Sequence, residues 1–191
     1  METTATCIVA LKQGDVIYIG GDSAGTESHS LKSTIRKDPK VFIKEDADEN
    51  KWLFGFTTSY RMGQLIQHVL VLPSIDKKDE NNMFGYMVKK FIPALQKCLR
   101  EGGFESKRED RVSGGTFIVA VKNQIFKIQS DYQVSMAEDD FYTAGCGEDL
   151  ALGALYATKE YSDPEKRVRV ALEAAERFSA GVRGPFILVK S

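Results

Sequence analysis

The 191-residue chain reads as one α+β domain built on antiparallel sheets. Two observations carry that reading. The apolar runs Thr6 to Leu11 and Val16 to Asp22 are joined by the turn Lys12-Gln13-Gly14-Asp15, the signature of a hairpin. The strand candidates then come in groups, with two helical stretches between the early strands and a middle hairpin and two more before the last strand. Such segregation favours antiparallel sheets over alternating βαβ units.

Each element has its own local signal. After the hairpin, 23–38 is polar and lacks sustained periodicity, so it reads as a loop closed by Pro39. Lys40 to Ile43 is a short strand, and Lys51 to Thr57 is a second with Trp52, Phe54 and Phe56 on one side. From Ser59 the period lengthens, and Met62, Leu65, Ile66 and Val69 predict a helix to about Leu72, closed by Pro73. A second amphipathic helix carries Phe84, Met87, Val88, Phe91, Leu95 and Leu99 on one stripe, and Pro93 is expected to kink or shorten it. The charged, Gly-rich connector 101–115 leads to a second hairpin, Thr116 to Val121 and Ile125 to Gln129. Phe141 to Ala144 is a strand, and Leu150, Ala151, Ala154, Leu155 and Thr158 mark a helix with a small-residue face. Ser162-Asp163-Pro164-Glu165 starts a last helix with Val168, Leu172, Ala175 and Phe178 inward, and Pro185 to Val189 is the closing strand.

Composition excludes several function classes. A hydrophobic content of 42%, a charged content of 28% and a formal net charge of -1 give no electrostatic footprint for nucleic acid or a membrane surface. Neither a secretory signal nor a run of about 18 apolar residues is present. Cys7, Cys98 and Cys146 are odd in number and widely spaced, and His29 and His68 have no ligand spacing around them. Neither a metal site nor a disulfide framework is expected, and a reducing, cytoplasmic setting fits. Ser113-Gly114-Gly115-Thr116 lacks the lysine and the following helix of a phosphate-binding loop.

The chemistry points to the N-terminal hairpin, whose pairing brings the hydroxyl of Thr6 to the carboxylate of Asp22. A threonine hydroxyl attacks an amide only with help. If Thr6 became the first residue, its own α-amine, with an unperturbed pKa of about 8, could act as the base. Thr6 and Asp22 on this hairpin, Lys40-Val41, Gly55 within Phe54-Gly55-Phe56-Thr57, and Gly145-Cys146-Gly147 together resemble the proteasome β-subunit family, most of all its bacterial HslV branch.

The resemblance covers nearly the whole chain. It implies the N-terminal nucleophile hydrolase fold, a four-layer αββα sandwich with two antiparallel sheets between helix layers. It implies a threonine-type endopeptidase with Thr6 as nucleophile, Lys40 beside the hydroxyl, Asp22 holding that ammonium, the Gly55 N–H in the oxyanion hole, and Cys146 where relatives carry serine. The segment between Asp22 and Lys40 is about two residues longer than in the family, and Lys37 is the rival for the lysine. Residues 1–5 are then a leader to be removed, with 6–191 the working domain. Thr3 and Thr4 stay open as alternative termini. No cofactor is implied. The expected partners are further copies in a ring or stacked rings, an ATP-dependent unfoldase and unfolded polypeptide substrate. An inactive ring scaffold and an amidase acting on a small amide stay open as other readings.

Overall fold

The computed structural model describes residues 6–26, 32–108 and 111–191. The expected leader and His29 lie outside them. The N-terminal hairpin is β1 (Cys7–Gln13) with β2 (Val16–Gly21), in a register that sets Gln13 opposite Val16 and Ile8 opposite Gly21. The polar stretch read as a loop contains a second, small hairpin, β3 (Ala24–Thr26) with β4 (Ser33–Ile35). The side chains of β4 are all exposed, so no apolar alternation announces it. β5 (Val41–Glu45) and β6 (Lys51–Phe56) follow as an antiparallel pair.

α1 (Tyr60–His68) begins at Ser59, whose side chain accepts from the Arg61 N–H, and it stops four residues short of the expected Leu72. Val69 closes the helix in the αR region and Leu70 N–H still bonds the Leu65 carbonyl; beyond the helix Leu70 and Leu72 are buried while Val69 and Val71 are exposed, so the helical spacing does not continue. α2 (Lys77–Glu80) carries a reciprocal capping box between Asp76 and Asp79. α3 (Met83–Tyr86), a π-turn at Met87–Phe91 and α4 (Ile92–Glu101) form the second helical stretch. Pro93 has no N–H, and the wider π-turn just before it takes up the interruption. The same turn rotates the buried face. Met83, Tyr86, Met87, Phe91, Leu95 and Leu99 point inward, whereas Phe84 and Val88, expected inward, are exposed.

β7 (Ser106–Arg108) and β8 (Arg111–Ser113) form a hairpin within the connector. β9 (Phe117–Val121) and β10 (Gln124–Ile128) are joined at Lys122-Asn123, both with positive φ, as a tight hairpin turn requires. β11 (Val134–Ser135), β12 (Phe141–Gly145), α5 (Glu148–Ala157), α6 (Pro164–Phe178) and β13 (Ile187–Lys190) complete the chain. The side chain of Asp163 caps α6, and Pro164 opens it. Phe178, expected inward, is exposed; Ala171 lies in the buried stripe instead.

Two main sheets are antiparallel throughout, ordered β12-β1-β2-β13 and β11-β10-β9-β6-β5. Alternation along β1 decides the packing. Cys7, Val9 and Leu11 face a cluster with Ala151 and Leu155 of α5 and Val168, Ala171 and Leu172 of α6. Ile8 and Ala10 face the other way, into a cluster with Ile19, Val41, Leu53, Ile118 and Ala120 that joins the two sheets. On the far side of the second sheet, Trp52, Phe54 and Phe56 meet α1 and α4, with Trp52 stacked on Phe91 at 5.5 Å between ring centroids. Among the described residues no helix is long and apolar enough to cross a membrane.

Candidate active site

Thr6 immediately precedes β1 and has the same parity as Ile8 and Ala10, so the strand that builds the inter-sheet core delivers its hydroxyl to the end of that core. Thr6, Asp22 and Lys40 are all buried. The Lys40 Nζ donates to Thr6 Oγ1 at 2.9 Å and to Asp22 Oδ1 at 2.9 Å. The carboxylate is fixed by the main chain as well: Cys7 N–H donates to Oδ1 at 3.0 Å, and Ala24 N–H and Arg183 N–H donate to Oδ2 at 3.0 and 3.4 Å. Asp22 therefore orients the ammonium and is itself oriented by three loop and strand amides.

Burial pushes the Lys40 ammonium below the ordinary lysine value, and Asp22 partly restores it. Burial also drives the Cys7 thiol far above its ordinary value, with Asp22 adding to the effect, so Cys7 is inert packing. Lys37, the rival, is exposed. It lines a different surface, with Ile35, Arg36, Pro39 and Pro185.

Cys146 stands on the opposite flank of Thr6. Its Sγ accepts from the Thr6 N–H at 3.2 Å and lies 3.3 Å from Ser179 Oγ. The turn that presents it depends on Gly145, whose φ is +104° and where an added Cβ would stand 2.2 Å from the Thr6 carbonyl oxygen. The missing Cβ lets the Thr6 main chain approach β12 closely, and the Gly147 N–H bonds the Thr6 carbonyl at 3.3 Å.

Gly55 is not brought into this group. The Phe56 N–H bonds the Lys40 carbonyl at 3.0 Å, on the β5 side. Successive amides of a strand point to opposite sides, so the Gly55 N–H points to β9, where Ile118 sits opposite. A Cβ at Gly55 would lie 2.5 Å from Ile8 Cγ2 and 3.0 Å from Ile19 Cγ2. The glycine serves the close approach of the two sheets, and its N–H as an oxyanion donor stays a proposal.

Two further participants are brought in by the tertiary fold. Ser179 follows α6 and reaches Cys146 only through the tertiary fold. The 183–185 segment serves through its main chain: the Arg183 amide holds Asp22, and Ser23 binds the carbonyls of Arg183 and Pro185. Backbone donors carry no residue code. Among the described residues no group of three or more His, Cys, Asp and Glu could hold a metal ion.

No family model matches the chain. The ATP-dependent protease subunit HslV of Caldicellulosiruptor saccharolyticus is 26% identical over 175 residues, covering 90% of this chain and 89% of its own. Solved structures of similar fold include Thiobacillus denitrificans BPH in complex with epoxomicin, with a TM-score of 0.74, 17% identity and 97% of each chain covered. Eukaryotic HslV from Trypanosoma brucei gives 0.65 at 18% identity, covering 96% of this chain and 98% of its own. Anbu from Yersinia bercovieri gives 0.65 at 14% identity, covering 96% and 80%. At these identities the solved structures speak for the fold, and the HslV match is a likeness in sequence. Over nearly its whole length the chain is therefore similar to HslV in sequence and shares the fold of proteasome-like BPH and HslV.

Proposed function

We propose that the chain is a threonine-type endopeptidase whose nucleophile is Thr6, freed as the first residue by removal of residues 1–5. The observation that carries the proposal is the buried Lys40 ammonium, 2.9 Å from both Thr6 Oγ1 and Asp22 Oδ1. An ammonium fixed beside a hydroxyl lowers the energy of alkoxide character on that oxygen, and in a site closed to water the effect is large.

The steps balance without metal or organic cofactor. Thr6 Oγ1 attacks the peptide carbonyl while its proton passes to the free α-amine of the same residue. The amine returns that proton to the departing nitrogen, the C–N bond breaks, and an ester on Thr6 remains. Water, deprotonated by the same amine, attacks the ester and regenerates the hydroxyl. Lys40 keeps its charge throughout, and Cys146 with Ser179 holds the amine in place. With the leader attached, that nitrogen is an amide without usable basicity.

The layered arrangement is taken as the αββα N-terminal nucleophile hydrolase fold, with 6–191 as one domain. The chain is proposed to work in the cytoplasm, as a ring or stacked rings served by an ATP-dependent unfoldase, on unfolded polypeptide; its HslV relative is by name the subunit of an ATP-dependent protease. Substrate adds as a strand, so that backbone hydrogen bonds supply affinity.

The test is a chain made to begin at Thr6 and exposed to a peptide epoxyketone, which adds to both the hydroxyl and the free amine of one residue. Intact mass should rise by one whole inhibitor, and Thr6→Ala should stay unmodified. An inert Thr6-first chain overturns the peptidase reading in favour of the inactive scaffold. Light scattering should find a closed oligomer; a stable monomer at micromolar concentration removes the ring.

A further inference from the structure

Beside the Thr6 main chain lies a cavity of about 270 Å³ lined by Thr57, Thr116, Lys127, Gln129, Gly145 and Glu148. Gly145 ties it to the site, since a Cβ there would touch both the Thr6 carbonyl at 2.2 Å and Thr57 Cγ2 at 3.4 Å. Thr57 follows Phe56, whose amide holds the Lys40 carbonyl. The cavity therefore sits between the strand ends that carry Lys40 and Cys146.

Its wall is polar and nearly neutral. Lys127 Nζ and Glu148 Oε2 pair at 2.7 Å, with side chains 14% and 38% exposed. The Thr57 hydroxyl is turned to the Thr116 carbonyl at 2.8 Å. The half-buried Gln129 carboxamide makes no side-chain hydrogen bond among the described residues.

We infer that this cavity is a substrate side-chain subsite for glutamine or asparagine, next to the scissile bond. The inference rests on the peptidase reading and names its specificity. An entering carboxylate meets Glu148 and an entering ammonium meets Lys127, while an apolar side chain would strip the pair of water without replacing its hydrogen bonds. A carboxamide offers an acceptor to Lys127 and a donor to Glu148, and it can pair with Gln129 in either direction. The ion pair also joins β10 to α5, and a purely structural bolt is the competing account.

Protein expressed as the full chain and processed to begin at Thr6 is presented with a peptide library varied at each position around the cleaved bond. At one position glutamine and asparagine should exceed leucine by about tenfold in kcat/KM, chiefly through KM. Gln129→Leu, which breaks no bond within the fold, should narrow that preference at the same position, and Lys127→Met with Gln129→Leu should reverse it. Epoxyketone labelling of Thr6 should persist in both variants. An unchanged cleavage profile in Gln129→Leu, or a double variant whose only change is a lower Tm, overturns the subsite while leaving the peptidase standing. Absence of labelling in the unsubstituted protein overturns both.

Discussion

Replacing Lys40 by methionine separates the chemistry of the site from its packing. Lys40 is 1% exposed, and its ammonium pairs with a carboxylate whose side chain is fully buried. Losing it strands the Asp22 charge. Removing one partner of a buried pair typically costs about 3–5 kcal/mol. The amides of Cys7, Ala24 and Arg183 still solvate the carboxylate, which places the loss at about 3 kcal/mol. For a chain of this length that corresponds to a Tm lower by roughly 6–12 °C. The expected fold survives, but with a measurable deficit that a surface lysine would not show. Peptidase activity should fall by about a hundredfold or more, the scale of losing a fixed electrostatic stabiliser.

The assay pairs thermal unfolding with kcat/KM on a fluorogenic peptide, and Lys37→Ala is the control. Lys37 is exposed and outside the group, so its loss should leave both readouts within error. Asp22→Asn alone is also destabilising, because its amide nitrogen must face one of the backbone donors. Combined with Lys40→Met its effect should be less than additive, since the buried charge is gone from both partners. Full activity in Lys40→Met, a loss of activity in Lys37→Ala, or strict additivity of the pair would falsify the arrangement described here.

Other outcomes follow from the same geometry. Because burial lowers the Lys40 pKa, the alkaline limb of the activity profile should fall below pH 10.5, the ordinary lysine value. Linkage runs in the matching direction. The unfolded lysine holds its proton in the window where the folded one has lost it, so this group's contribution to stability rises with pH from its lowered pKa up to 10.5. Alkylation with iodoacetamide should stop the peptidase through exposed Cys146, while Cys146→Ser should keep activity and resist the reagent; Cys7, buried with its pKa raised, should not compete. Gly145→Ala should lower Tm and abolish epoxyketone labelling, because its Cβ would meet main-chain atoms of Thr6 that have no room to move. Phe91→Ala should cost about 3–5 kcal/mol, whereas Phe84→Ala on the exposed face should cost little, a difference read by chemical denaturation.

Hydrophobic periodicity and turn chemistry were enough to read the N-terminal hairpin, the Trp52-Phe54-Phe56 face, the hairpin across Lys122-Asn123 and the start of α6. These signals are local: they state which face of an element is apolar and where the chain reverses. The same locality explains Thr6 and Asp22, two ends of one hairpin that pairing alone brings near each other. Lys40 and Cys146 were reached through the resemblance, and it took the fold to show Lys40 buried against Thr6 and Lys37 outside.

What stands across from a residue is decided only by packing. Gly55 has two physical reasons to be glycine, room for a substrate strand or room for another sheet, and the parity that turns it toward Ile8 and Ile19 selects the second. Phe84 and Val88 fit a straight helical stripe, but the π-turn before Pro93 rotates the face and leaves them outside. Ser179 and the Arg183 amide join the site from 33 and 161 residues away from their partners, a separation that no local pattern can encode.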